Sequence, residues 1–242
     1  QGLASWVSTP AVDGVTYHQR AAFLPATATL VVADLHVGRG EASNVTLPLG
    51  EREDLVNRLR TLVDETTPER VVFAGDVLHR FDRPTERARE TVEALVAVCC
   101  DADARPMFVR GNHDTALESI RGDVEAAVVV ESDPRTVVCH GHEPPQFDAD
   151  RYLIGHDHPA ITIEGKRHPC VLHVPDAYDG ADVVMLPAFS RLAAGVAVND
   201  ARGDDLQSPL IDSLGDARPI VYDSEDGEPL TFPPLPAFRR LL

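Results

Sequence analysis

Five times along this chain an apolar, mostly β-branched run stops abruptly at aspartate, asparagine or histidine. Thr29–Ala33 ends at Asp34-Leu35-His36, and Arg70–Ala74 ends at Gly75-Asp76. Pro106–Val109 leads into Arg110-Gly111-Asn112-His113-Asp114, Thr136–Cys139 into His140-Gly141-His142, and Arg151–Ile154 into Gly155-His156-Asp157-His158. Continuous apolar runs of this length mark strands buried on both faces. A fold that buries five such strands and leaves polar clusters at their ends has a site where those ends converge. A connecting loop would need only one of these groups.

In the first half the runs alternate with helical spacing. Leu55, Leu59, Leu62 and Val63 recur along Glu51–Glu65, after a polar loop from Gly38 to Gly50. Val92, Leu95, Val96 and Cys99 recur along Arg83–Cys100, with Pro84 expected in that helix's first turn. This alternation predicts parallel strands joined by crossovers, preceded by two short strands at Gly14–His18 and Ala21–Leu24. From Ala126 onward the pattern changes. Ala126–Val130, Thr136–Cys139, Arg151–Ile154, Ala160–Ile163, Cys170–Val174 and Asp182–Met185 are short strands with few helical patterns between them, so antiparallel pairing is expected. Both halves fit an α/β (α+β) class, with two mixed sheets packed face to face and helices outside, in a single domain over residues 1–242. Residues 199–228, rich in Asp, Gly, Ser and Pro, read as an acidic, mobile insertion, with Ile220-Val221-Tyr222 returning as an edge strand.

Charge narrows the partners. The formal charge is −17 and Lys166 is the sole lysine. Such a surface suits concentrated salt, where repulsion is screened over about 3 Å at 1 M, and a halophilic habitat is expected. A basic partner in ordinary cytosol is the rival explanation. There is no broad basic patch of the kind that binds duplex nucleic acid. No apolar run approaches the roughly 20 residues of a membrane span. Gln1-Gly2-Leu3-Ala4 does not start a secretory signal, so a cytoplasmic location without membrane contact is expected. Cys99, Cys100, Cys139 and Cys170 lack C-x-x-C spacing and read as buried free thiols.

The strand-end residues form a chemically coherent set. Asp34, His36, Asp76, Asn112, His140, His156 and His158 are oxygen and imidazole donors with no thiolate among them. Such a set suits Mn, Fe, Zn, Co or Ni and argues against a closed structural zinc site. Seven donors over-supply one ion and account for two that share a carboxylate. Two ions about 3.5–4 Å apart hold a hydroxide between them and bind phosphoryl oxygens. A leaving alkoxide would still need a proton. His113, beside a ligand and able to point into the cleft, is the natural general acid, with Asp114 orienting it or raising its pKa. Within His140-Gly141-His142, His140 is the preferred ligand; His142 is left to bind substrate or support the ligands. Arg39, His79 and Arg80 are candidate phosphate contacts, with solvated surface residues as the alternative. His18, His168 and His173 read as structural or exposed.

Asp-x-His, Gly-Asp, Gly-Asn-His-Asp, His-Gly-His and Gly-His-x-His, in this order from Leu30 to Pro159, resemble the calcineurin-like metallophosphoesterase superfamily. The resemblance implies a four-layer αββα sandwich and a dinuclear centre, with manganese foremost among the metals. One ion would take Asp34, His36, Asp76 and His158. The other would take Asp76, Asn112, His140 and His156, with His113 as the catalytic histidine. Val32–Gly38, Gly75–His79 and Gly155–Pro159 resemble a prokaryotic phosphoesterase group that includes the phosphoesterase associated with a DNA-repair ligase. His79 and Arg80 depart from the acidic residue or Asn that many relatives carry in the second block. The expected activity is hydrolysis of phosphodiesters, with nucleotides or nucleic-acid ends as substrates. The alternatives are a phosphomonoesterase or phosphoprotein phosphatase, a nuclease acting on duplex DNA, or a non-catalytic subunit that recognises phosphate.

Overall fold

The computed structural model describes residues 12–42, 50–80, 83–222 and 228–240. The strands are Thr16–His18 (β1), Ala21–Leu24 (β2), Thr29–Val32 (β3), Arg70–Ala74 (β4), Arg105–Val109 (β5), Val124–Glu125 (β6), Ala127–Val130 (β7) and Thr136–Cys139 (β8). They continue with Arg151–Ile154 (β9), Pro159–Ile163 (β10), Lys166–Pro169 (β11), Val171–Tyr178 (β12), Ala181–Met185 (β13), Val196–Ala197 (β14), Arg218–Tyr222 (β15) and Pro229–Thr231 (β16). Helices are Arg39–Ala42 (α1), Glu51–Thr66 (α2), Glu86–Asp101 (α3) and Leu235–Phe238 (α4).

One sheet runs β1-β2-β3-β4-β5-β6 and the other β16-β15-β12-β13-β9-β8-β7, with a small sheet β11-β10-β14. Strand alternation sorts side chains into three apolar layers. Leu30, Val32, Val71 and Phe73 face Leu55, Leu59, Val92 and Leu95 of α2 and α3. Val31, Ala33, Val72 and Ala74 face Val138, Leu153 and Val184 across the gap between the two large sheets. Val137, Ile154, Val183 and Met185 on the far side of the second sheet meet Ile161, Val198, Leu210 and Leu235. The result is the mixed-sheet sandwich expected of the metallophosphoesterase fold. Its fourth layer consists of the small sheet, the 198–214 segment and α4.

Local pairing departs from expectation in several places. β8, β9 and β13 are parallel neighbours, so the second half is mixed and not simply antiparallel. β15 lies between β12 and β16, so Ile220–Tyr222 is interior to the sheet, not its edge. Pro84 precedes the α3 N-cap: Thr85 Oγ1 accepts from the Ala88 amide at 3.1 Å. The 199–228 segment is not a mobile insertion through 217, because Ala201, Leu206, Leu210, Ile211 and Leu214 are buried in the outer core; residues 223–227 lie outside the described ones. Alternation of acidic with apolar residues hides such a layer, since it follows no helix or strand period. Cys100 is exposed, while Cys99, Cys139 and Cys170 are buried, and all four are free thiols. Among the described residues, no helix is long and apolar enough to cross a membrane.

Candidate metal centre

The parallel pairing of β3, β4 and β5, and of β8 with β9, brings the polar strand ends together. The β3–β4 ladder continues beyond the strands, with Asp34 N on Gly75 O at 3.1 Å and His36 N on Asp76 O at 2.9 Å. Along it the backbone turns left-handed at Asp34 (φ 57°), His36 (φ 47°) and Asp76 (φ 48°), and likewise at His156 (φ 77°) and His158 (φ 51°). A non-glycine residue there is disfavoured by roughly 1–2 kcal/mol, so five such residues at one place require surrounding structure to hold them. The conformation resolves how Asp34 and His36, two apart, reach one site while Leu35 packs into the helix-side core.

Two clusters of donors result, one of Asp34, His36 and His158, the other of Asp34, Asp76 and His140, with ligand atoms in each within 4.8 Å of one another. His36 Nε2 is 3.2 Å from His158 Nε2, which is 3.3 Å from Asp34 Oδ1. His140 Nε2 is 3.4 Å from Asp76 Oδ1 and 3.0 Å from Asn112 Oδ1, while its Nδ1 lies 3.2 Å from the Ala74 carbonyl. Donation to that carbonyl leaves Nε2 as the ligating atom. The His156 amide donates to Asp34 Oδ2 at 3.0 Å, and its ring centroid is 5.0 Å from that of His140. The carboxylate common to both clusters is Asp34, where the resemblance implies Asp76 in that place.

Three glycines make this proximity sterically feasible. A Cβ at Gly75 would fall on the His140 ring, one at Gly111 on Asp76, and one at Gly155 on the Asp34 carboxylate. Their role is therefore to make room for neighbouring donors.

Other candidates take definite places. His113 Nδ1 is 3.0 Å from the His79 carbonyl, and its Nε2 is 3.8 Å from Asp76 Oδ2. Asp114, expected to orient His113, instead accepts the backbone amides of Val77 (3.2 Å), Leu78 (2.9 Å) and Gly111 (3.0 Å). It thereby ties the loop after β5 to the loop after β4. His79 stacks on His113 with centroids 6.2 Å apart. The charge on Arg39 helps hold the pKa of both His36 and His79 down, which puts its guanidinium within electrostatic reach of them. Arg80 is exposed, and its charge bears on His79. His142 lies 5.2 Å from His140, centroid to centroid, with Nδ1 buried and unbonded. One neighbour carries no signal in the sequence: Ala188–Gly195 runs beside the centre, with Ser190 N on Asp34 O at 3.2 Å. No polar strand-end cluster marks it.

Asp34 and Asp76 are 0% and 2% exposed and face imidazoles. Burial, then the Asp34 charge, pushes Asp76 up to about 8. Burial, then neighbouring His158 and His113, pushes His36 down to about 2, and burial holds His140 well below the usual imidazole range. Two buried carboxylates beside imidazoles driven to the neutral form are a donor set that a divalent cation completes, so the residues fit a metal. The sign of the proton exchange follows. At pH 7, below its raised pKa, the metal-free Asp76 holds a proton that a cation must displace, whereas His36 is already neutral. Metal titration at pH 7 in two buffers of different ionisation enthalpy should report release of about one proton per chain, lost in Asp76→Asn. Identical apparent enthalpies in both buffers would count against this protonation state.

A sandwich of two mixed sheets with Asp, Asn and His donors at converging strand ends, Asp34, His36, Asp76 and His140 of them buried, defines a metal-dependent phosphoesterase. The chain belongs to the calcineurin-like phosphoesterase family, whose model matches residues 27–160. Among solved structures it is similar to the Pseudomonas putida nuclease MPE, with a TM-score of 0.62 and 23% identity over 88% of this chain and 92% of that one. YfcE, a phosphoesterase from E. coli, aligns with a TM-score of 0.43 and 15% identity over 85% of this chain and 98% of that one. No curated protein matches the chain.

Proposed function

We propose that this enzyme is a dinuclear phosphodiesterase whose substrates are nucleotides or nucleic-acid ends. The observation that carries the reading is the pair of adjoining donor clusters built around Asp34, Asp76, His36, His140 and His158. In this reading Asp34, His36, Asp76 and His158 hold one divalent ion, and Asp76, Asn112, His140 and His156 the other, with manganese the first choice. When bound, the ions supply Lewis acidity toward the phosphoryl oxygens and lower the pKa of the attacking water. His113, with Nδ1 on the His79 carbonyl and Nε2 3.8 Å from Asp76 Oδ2, donates a proton from Nε2 to the departing oxygen. In this reading Arg39, His79, Arg80 and His142 orient the phosphate. The charge of Arg39, felt at both His36 and His79, in a chain with net charge −17 supports that role. The fold neighbour from P. putida carries the name nuclease, which supports a nucleic-acid substrate. The acid-rich surface fits a cytoplasm of concentrated salt.

The test is metal analysis joined to a substrate comparison. Manganese-loaded protein should retain about two ions per chain and hydrolyse bis-p-nitrophenyl phosphate faster than p-nitrophenyl phosphate. Asn112→Ala should lose one ion and most of the turnover. Absence of diester turnover with either manganese or nickel overturns the proposal. Faster monoester turnover makes the enzyme a phosphomonoesterase.

A further inference from the structure

Asp157 sits between two proposed ligands, His156 and His158, yet its carboxylate is 2% exposed and belongs to neither donor cluster. Both of its oxygens are occupied. Oδ1 accepts the Gln207 amide at 2.8 Å and Oδ2 the Ser208 amide at 3.0 Å. The donors come from a part of the chain that follows the family-matched span, which ends at residue 160. They are also immobilised. Leu206, Leu210 and Ile211 are buried in the outer core, and Ser208 Oγ accepts the Leu210 amide at 3.4 Å. On the other side of the loop, the His158 carbonyl accepts the Val196 amide at 2.9 Å. The loop bearing both imidazoles is therefore gripped from two directions by the C-terminal layer while His156 and His158 hold left-handed backbone conformations.

We infer that Asp157 is a positioning residue of the metal centre, and that the acidic segment around Gln207–Ser208 serves as its buttress. The inference rests on the metal-dependent reading above. Charge-assisted bonds to two backbone amides are strong and directional, so they fix the loop's path where an apolar side chain would leave both amides unpaired. Outer-sphere partners of ligating histidines are worth about 10- to 100-fold in metal affinity.

The experiment measures manganese binding by calorimetry on the full chain for wild type, Asp157→Ala and Asp157→Asn, with metal-free melting curves and cobalt absorption spectra. Asp157→Ala should raise the manganese dissociation constant about 10- to 100-fold and shift the cobalt spectrum, with turnover recovering at saturating metal. Asp157→Asn, which keeps one acceptor oxygen in place, should fall between the alanine variant and wild type. Equal losses in the two variants would overturn the inference, because the effect would then be one of charge alone. It is equally overturned if Asp157→Ala lowers the metal-free melting temperature but leaves metal affinity unchanged. Should Asp157→Ala fail to fold, wild-type affinity in Asp157→Asn overturns it. A wild-type protein that binds no metal defeats the proposed function itself, whereas normal wild-type binding with unaltered variants defeats this inference alone.

Discussion

Alanine at Gly155 or Gly111 is expected to lower turnover by at least about 100-fold and strip metal from the protein, although neither residue offers a side chain to the chemistry. The reason is spatial. At Gly155 the added methyl would occupy the position of the Asp34 carboxylate and lie 2.8 Å from the Ala33 Cβ. At Gly111 it would coincide with the Asp76 amide and carboxylate and lie 3.0 Å from the Asp76 Cα. Neither aspartate can retreat, since both are buried and their backbones are tied into the extended β3–β4 ladder. Overpacking of this kind costs about 1–3 kcal/mol of stability, which a domain of ordinary stability survives. Its functional cost is greater, because an ångström of misplacement at a catalytic carboxylate is worth about 100-fold in rate. Gly122→Ala is the control, since a Cβ there meets nothing within 4 Å. Metal content by mass spectrometry and kcat on a diester decide it; full metal occupancy in Gly155→Ala would refute the steric account.

Removing His113 should produce a different signature. His113→Ala is expected to keep its metal and lose about 10²- to 10⁴-fold in kcat, the range of a general acid. The size of the loss should depend on the leaving group. An alkoxide departs only with a proton, so an alkyl phosphodiester should show the full effect, whereas p-nitrophenolate leaves readily and should show the least. The pairing of Nδ1 with the His79 carbonyl directs Nε2 toward the cleft, and the side chain is 24% exposed beside an almost fully buried Asp76. A loss of equal size for both leaving groups would assign His113 to phosphate orientation and not to proton transfer.

Most of the centre was legible because its signals are local. An apolar run that ends in Asp or His reports a buried strand and its exit, and both can be read from neighbouring residues. So Asp34, His36, Asp76, His140 and His158 stand together in the structure as their strand ends suggested. What was misread depended on partners distant in the chain. Asp114 looked like a companion for His113 because the two are adjacent, but its oxygens are taken by amides including those of Val77 and Leu78, more than thirty residues earlier. The C-terminal segment looked like solvated loop because its composition is acidic. Leu206, Leu210 and Ile211 nonetheless cover a sheet, with a spacing that neither helix nor strand periodicity detects.

The sequence by itself determined which strands are buried and which polar groups stand at their exits, since periodicity and the placement of glycine act over a few residues. Only the tertiary structure decided that Asp34 touches both donor clusters, that β8, β9 and β13 run parallel, and that Asp157 is held from residues 207 and 208. Those outcomes are set by hydrogen bonds and packing between segments up to a hundred or more positions apart, and a linear pattern does not encode which distant partner satisfies a buried polar group.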